Sequence, residues 1–233
     1  MVINMQIAGF DKLSLLNYPD KVAATIFTNG CNFRCPYCQN SELVLDVADN
    51  ELYSEEEVLA YLNERKKLLD GVCITGGEPT IQPDLMDFIK KVKEIGLLVK
   101  LDTNGSNPHV IKELLDNNLI DYIAMDIKSV FSKYEIITCR NVNIDRIRES
   151  INLIKNSKID YEFRTTVIKE FITYEDLELI INYLDCKHYY LQKFEDRDTN
   201  IIPNLEAYTE QELKEMYEKL KQKYDYIQIR GIN

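Results

Sequence analysis

The sequence predicts an α/β fold, a partial (β/α)6 barrel of parallel strands with helices on the outer face. Short apolar, β-branched runs recur at Ala23 to Thr28, Val72 to Thr75, Val99 to Thr103, Tyr122 to Lys128, Tyr161 to Val167 and His188 to Lys193. Helical patterns separate these runs, and strands that alternate with helices pair in parallel through right-handed crossovers. A chain of 233 residues with 45% apolar content can bury one sizeable core. The repeated units fall short of a closed barrel, so the sheet is expected to stay open on one side.

Residues 1–22 read as an N-terminal approach segment and residues 23–230 as the partial barrel, within a single domain of residues 1–233. No low-complexity tract, linker or repeat divides the chain. Ser54, with Glu57 three residues on, forms a capping box, and Val58, Leu59, Leu62, Leu68 and Leu69 follow as a broken apolar face. Pro83 opens the next helix and Gly96 closes it, with Leu85, Ile89, Val92 and Ile95 along one side. Asn107 and Pro108 supply the cap and first turn of a third helix, and Ile144, Ile147, Ile151 and Ile154 stripe a fourth. Thr173 with Asp176 begins a fifth, and Thr209 with Glu212 a sixth. A short run from Tyr226 to Arg230 reads as one further strand.

The 28 basic and 39 acidic residues leave a formal charge of -11, and no Lys/Arg block is dense enough to track a phosphate backbone, which excludes nucleic acid as the expected partner. The opening MVINMQIAGF lacks the basic flank and apolar run of a secretion signal, and no stretch approaches the roughly 20 apolar residues of a membrane helix. A cytoplasmic protein with no membrane partner is expected. Of six cysteines, three fall within eight residues of one another, unlike the dispersed framework of a disulfide-rich secreted domain. Metal binding or redox use is the better expectation.

Ligands of parallel α/β folds gather at the carboxyl ends of the strands. Directly after the first run the chain reads Asn29-Gly30-Cys31-Asn32-Phe33-Arg34-Cys35-Pro36-Tyr37-Cys38-Gln39-Asn40. Three thiolates in one short loop suit an iron-sulfur cluster or zinc. A four-iron cluster asks for four ligands, so three cysteines leave one iron open to something exogenous. Zinc in a structural site would want a fourth Cys or His, and His109 and His188 lie far away in sequence. Simple burial as small apolar side chains suits a Gly-containing loop poorly. A zinc site recruiting Cys73, Cys139 or Cys186 is the more serious rival, although these three otherwise read as core or incidental thiols.

With Phe33 and Arg34 inside it and Tyr37 before its last cysteine, this loop resembles the signature of the radical S-adenosylmethionine superfamily. The resemblance implies a four-iron four-sulfur cluster on Cys31, Cys35 and Cys38, its open iron chelated by the amino and carboxylate groups of S-adenosylmethionine. It also implies that one electron from the reduced cluster splits the sulfonium into methionine and a 5'-deoxyadenosyl radical, which abstracts a hydrogen atom. Tyr37 is then expected beside the cofactor. The protein supplies binding and orientation for this chemistry.

Other strand ends carry groups fit for such a cofactor. Thr75-Gly76-Gly77-Glu78-Pro79-Thr80 offers unhindered backbone at two glycines and an anionic acceptor at Glu78. A plain Gly-rich turn is the alternative, but the position resembles the family segment that holds the methionyl amino group. Asp102 and Asn104 end the third run, and Asp126 and Lys128 end the fourth. Acids in apolar strands are costly to bury unless paired, so Asp102, Asp126 and Lys128 either neutralise one another or face the cofactor, or both. The pattern resembles glycyl-radical-enzyme activases, in which such aspartates stand near a bound monovalent cation in some members. On the fifth run Arg164 and Thr166 share a face, and Arg164 is a fork for the methionyl carboxylate. Gln192, on the sixth, is either an adenosine contact or a cap on the barrel mouth.

Together with Leu15-Leu16-Asn17-Tyr18-Pro19, these motifs look most like the activating protein of anaerobic ribonucleoside-triphosphate reductase, with the pyruvate formate-lyase activase close by. The implied partners are a large glycyl-radical enzyme, which loses a hydrogen atom from a glycine α-carbon, and a flavodoxin or ferredoxin type reductant. The chain carries no cysteine-rich extension after its sixth helix, so the open side of the barrel is expected to admit a protein loop. Gln39 departs from the histidine that many relatives carry there. A radical enzyme acting on a small molecule or peptide, and a non-catalytic metal protein, are the competing classes; the latter leaves Gly76, Gly77, Glu78 and Arg164 without a role.

Overall fold

The computed structural model describes residues 5–45, 47–48 and 50–232. Met1 to Asn4, at the start of the expected approach segment, lie outside the described residues. In chain order the elements are β1 (Ile7–Ser14), β2 (Ala23–Thr28), α1 (Ser41–Leu45), α2 (Glu55–Arg65), β3 (Gly71–Gly76), α3 (Leu85–Ile95), β4 (Leu98–Thr103), α4 (Pro108–Asp116) and β5 (Tyr122–Asp126). There follow α5 (Tyr134–Thr138), α6 (Ile144–Lys155), β6 (Asp160–Val167), α7 (Tyr174–Leu184), β7 (Tyr189–Lys193), α8 (Glu210–Lys221) and β8 (Ile227–Arg230). The strands form one eight-stranded sheet in the order β1 to β8, parallel from β2 onward. Each expected run is a strand, and the run ending at Arg230 is β8.

The approach segment differs from expectation, because Ile7–Ser14 adds an antiparallel edge strand against β2. Its register shifts between Ile7 and Gly9 and again between Asp11 and Ser14, and only those two end residues of the strand are buried. Bulges on an exposed edge blur the period-two pattern that would reveal a strand.

Local signals set the helix ends. Ser54, Thr173 and Thr209 each accept from the backbone N–H three residues on, and the side chain there returns the bond, closing three capping boxes. Helix α3 starts two residues after Pro83, since Asp84 is its cap, and it ends at Gly96 with φ 93°. Asn107 caps α4 by position alone; its Nδ2 instead donates to the Thr80 carbonyl and hydroxyl at 3.2 and 3.1 Å. Phe88, Ile89 and Val92 of α3 and Ile147, Ile151 and Ile154 of α6 are buried against the sheet, each worth about 1.5–3 kcal/mol of transfer free energy. Among the described residues no helix is long and apolar enough to cross a membrane. The core therefore lies between helices and sheet, and the loops at the carboxyl ends are free to build a site.

Candidate active site

The loops after β2 to β7 converge on a cavity of about 320 Å³. The cysteine loop reaches it on backbone ties: Gly30 N–H donates to the Leu43 carbonyl at 2.7 Å and Arg34 N–H to Thr138 at 2.8 Å. The Arg34 guanidinium folds back onto the carbonyls of Cys31 and Phe33 at 2.5 and 2.7 Å, and Cys38 N–H closes a turn on the Cys35 carbonyl at 2.9 Å. Phe33 anchors the loop in the core. Cys31, Cys35 and Cys38 all border the cavity. Burial, then the nearby Glu78 carboxylate, pushes the Cys31 thiol up to about 12. Burial pushes Cys35 up to about 11, with the Lys128 ammonium working against it.

The cavity lining holds these three thiols and no further Cys or His, a donor set that fits an open-iron cluster better than a closed zinc site. Among the described residues no three His, Cys, Asp or Glu side chains are grouped to hold one metal ion. The rival fourth ligands are elsewhere: Cys73 is buried on β3 beside the Lys100 ammonium at 3.8 Å, Cys186 is buried after α7, and Cys139 is exposed after α5. None of them borders the cavity.

The Gly-Gly-Glu loop is pressed against the cysteine loop. Gly77 N–H donates to Thr28 at 2.9 Å and Glu78 N–H to Gly30 at 2.8 Å. A Cβ on Gly77 would stand 1.8 Å from the Gly30 carbonyl oxygen, and one on Gly76, at φ 102°, 2.5 Å from Thr28 N. The glycines thus permit two backbones to touch, beyond any access they give a ligand. Glu78 Oε1 accepts from Thr80 N, Thr80 Oγ1 and Thr103 Oγ1 at 3.1, 2.5 and 2.7 Å, and Oε2 from Asn104 N at 2.7 Å. Burial raises its pKa and the same hydrogen bonds oppose the rise. Most of its acceptor capacity is spent inside the fold, so it shapes the wall as much as it offers an anion. Pro79 begins the short 3-10 turn Pro79–Ile81 and is buried behind the loop, away from the cavity lining.

Asp102, Asp126, Lys128 and Arg164 form an ionic floor. Arg164 Nε donates to Asp126 Oδ1 at 2.8 Å and Nη1 to Asp102 Oδ2 at 3.2 Å; Lys128 Nζ meets Asp126 Oδ2 at 3.1 Å. Lys100 Nζ donates to Asp102 Oδ1 from two residues earlier on the same strand face. Burial would raise both aspartates, but Arg164 with Lys128 holds Asp126, and Arg164 with Lys100 holds Asp102, below the usual carboxylate range. Burial likewise disfavours the Lys128 and Arg164 cations, and the facing carboxylates keep both well above their ordinary values. Mutual neutralisation and cavity exposure therefore both hold for these residues.

Among the remaining expected residues, Tyr37 is buried with its ring 6.0 Å from Lys128 Nζ, and burial raises its hydroxyl pKa. Asn104 Nδ2 donates to Asn32 Oδ1 at 2.8 Å and stands 4.0 Å from Cys31 Sγ, tying the cysteine loop to the end of β4. Thr166 and Gln192 are register partners on β6 and β7 and both line the cavity. Gln39 lines it too and donates to the Glu195 carbonyl at 3.0 Å. Sequence reasoning missed Lys100, though its i, i+2 spacing from Asp102 placed it on the same face. It also missed Glu162, fully buried, which accepts from both Arg230 guanidinium nitrogens at 2.7 Å and from Tyr122 at 2.9 Å.

The family model described as the radical SAM superfamily matches residues 25–184. The chain belongs to the radical SAM superfamily. A four-iron four-sulfur cluster and S-adenosylmethionine are the cofactors this membership implies. A Methanocaldococcus jannaschii protein with the provisional name glycyl-radical enzyme activating enzyme is 36% identical, over 97% of this chain and 96% of its own length. The pyruvate formate-lyase-activating enzyme of Clostridium pasteurianum is 32% identical over 54% of this chain, and the match spans 53% of that enzyme. Among solved structures, a radical SAM methyltransferase from Sphaerobacter thermophilus superposes on 94% of this chain and 68% of its own, with TM-score 0.71 at 13% identity. That superposition shows the radical SAM barrel as the fold.

Proposed function

We propose that this radical SAM protein is a glycyl-radical enzyme activating enzyme, and that its partner is an anaerobic ribonucleoside-triphosphate reductase. The supporting observation is the cavity, where a three-thiol loop and a charged floor border one space, in a chain similar along nearly its whole length to a relative of that provisional name. Cys31, Cys35 and Cys38 would hold the cluster, and the raised pKa values of Cys31 and Cys35 mean that loading it releases protons. When bound, cluster and S-adenosylmethionine supply one-electron cleavage of the sulfonium and abstraction of a glycine α-hydrogen, on an electron from a flavodoxin or ferredoxin type reductant.

The chain's own residues bind and orient. Gly76, Gly77 and Glu78 form the wall assigned to the methionyl amino group, and Arg164 the fork for the carboxylate, with Asp102, Asp126 and Lys128 fixing its charge balance. Tyr37, Asn104, Thr166 and Gln192 complete the cofactor's surroundings. A monovalent cation at Asp102 and Asp126 would compete with Lys100, Lys128 and Arg164 for the same oxygens, so we give it a minor part. His109 and His188 are both exposed and outside the cavity, and no acid-base catalyst is required. The Clostridium relative favours a second reading, activation of a pyruvate formate-lyase type enzyme.

Anaerobic reconstitution with iron, sulfide and a strong reductant tests the proposal. Methionine and 5'-deoxyadenosine are expected from S-adenosylmethionine, with loss of both in Cys35→Ala, and a glycine-centred electron paramagnetic resonance doublet with the reductase. Cleavage that survives Cys35→Ala refutes the site; a doublet only with a pyruvate formate-lyase type enzyme selects the second reading.

A further inference from the structure

Lys100, on β4, is a buried cation that stands outside the active-site cavity. It is 2% exposed and does not border that space, whereas Asp102, two residues on, does. Lys100 Nζ donates to Asp102 Oδ1. It also lies 3.8 Å from Cys73 Sγ, but burial pushes that thiol up to about 12 and keeps it neutral. Among the described residues, Asp102 is the one carboxylate that Lys100 meets.

Charge balance gives this lysine a use. Among the described residues three cations, Lys100, Lys128 and Arg164, meet the two floor carboxylates, Asp102 and Asp126. Glu162, 3.8 Å from Arg164 Nη1, is answered by two hydrogen bonds from Arg230. The floor therefore holds one positive charge in excess, and without Lys100 that excess would vanish. Arg164 is where it can be used. This guanidinium borders the cavity, spends Nε on Asp126 and Nη1 on Asp102, and keeps Nη2 without a partner among the described residues. An anion entering a buried site needs a counter-charge. At about 10 Å and an effective dielectric constant of about 20, one unit charge still changes the affinity for another more than tenfold.

We propose that Lys100 is a positioning residue for carboxylate recognition: by neutralising Asp102 from outside the cavity, it frees the Arg164 charge for the carboxylate of an entering ligand. The inference rests on the function proposed above, in which that ligand is the methionyl group. Calorimetric binding to the cluster-loaded, unreduced chain tests it, with S-adenosylmethionine set against its decarboxylated form, which lacks only the carboxylate. No turnover is read. Lys100→Met should weaken S-adenosylmethionine about tenfold and spare the decarboxylated form. Lys100→Met/Asp102→Asn removes one charge of each sign and should recover the preference; it buries no unpaired acid, so it serves even where Lys100→Met fails to fold. Wild type that binds neither ligand refutes the cofactor reading and this inference with it. Where wild type binds S-adenosylmethionine, equal weakening of both ligands or of neither in folded Lys100→Met overturns this inference alone, as does a double variant without the preference.

Discussion

Asp102 and Asp126 meet their counter-ions inside the fold, on Lys100, Lys128 and Arg164. Cys31 and Cys35, bordering the same cavity, have no cation bonded to their sulfurs among the described residues and are held as neutral thiols by burial. The floor is complete as folded, whereas the loop becomes a strong ligand set only when something outside the protein removes its protons. The difference separates what this chain builds alone from what it builds for a cofactor.

The largest effect should come from breaking the floor. Arg164→Leu takes one of two cations from each buried aspartate, leaving Asp102 to Lys100 and Asp126 to Lys128, and is expected to cost about 3 kcal/mol in urea unfolding of the metal-free chain, whereas Cys35→Ala should cost no more than about 1 kcal/mol, a one-atom cavity. Comparable losses would end the contrast. Loading is next: anaerobic iron and sulfide should stabilise wild type by about 2.7 kcal/mol at a hundredfold excess over the dissociation constant, read as a raised thermal midpoint, and leave Cys35→Ala unmoved.

The smallest and sharpest test is pH. The folded pKa values of Cys31 and Cys35 lie above the ordinary 9.0, so their contribution is whole below pH 9 and drains as pH climbs toward 11 and 12, where the unfolded chain ionises first. Asp102 and Asp126 are depressed, so theirs is whole above the ordinary carboxylate range and is lost as pH falls through the folded values. Unfolding curves of the metal-free chain should therefore lose stability in base, where buried Cys73 and Cys186 add to the loop thiols, and in acid through the floor; Cys35→Ala should make only the alkaline limb shallower.

Much of this was legible in the chain, because the signals are local. Ser54, Thr173 and Thr209 announce helix starts through a bond to a residue three away, and the cysteine loop declares its ligands within eight residues. What stayed hidden depends on contacts between distant segments. Gly77 owes its identity to Gly30, Asn104 to Asn32, and β1 to a pairing that its bulged, exposed edge conceals. Lys100 was legible in principle by strand alternation, but a lysine in a core strand is read as an error until its acid is placed beside it.

Arg230 grips Glu162 with two hydrogen bonds at 2.7 Å, and its guanidinium lies 3.6 Å from the centre of the Tyr190 ring. The consequence concerns synthesis. A nascent chain that has emerged through β7 carries a carboxylate destined for the interior whose guanidinium has yet to be translated. The seat of Glu162 can settle only once β8 has been made, which turns that strand into the latch on a charge translated 68 residues earlier.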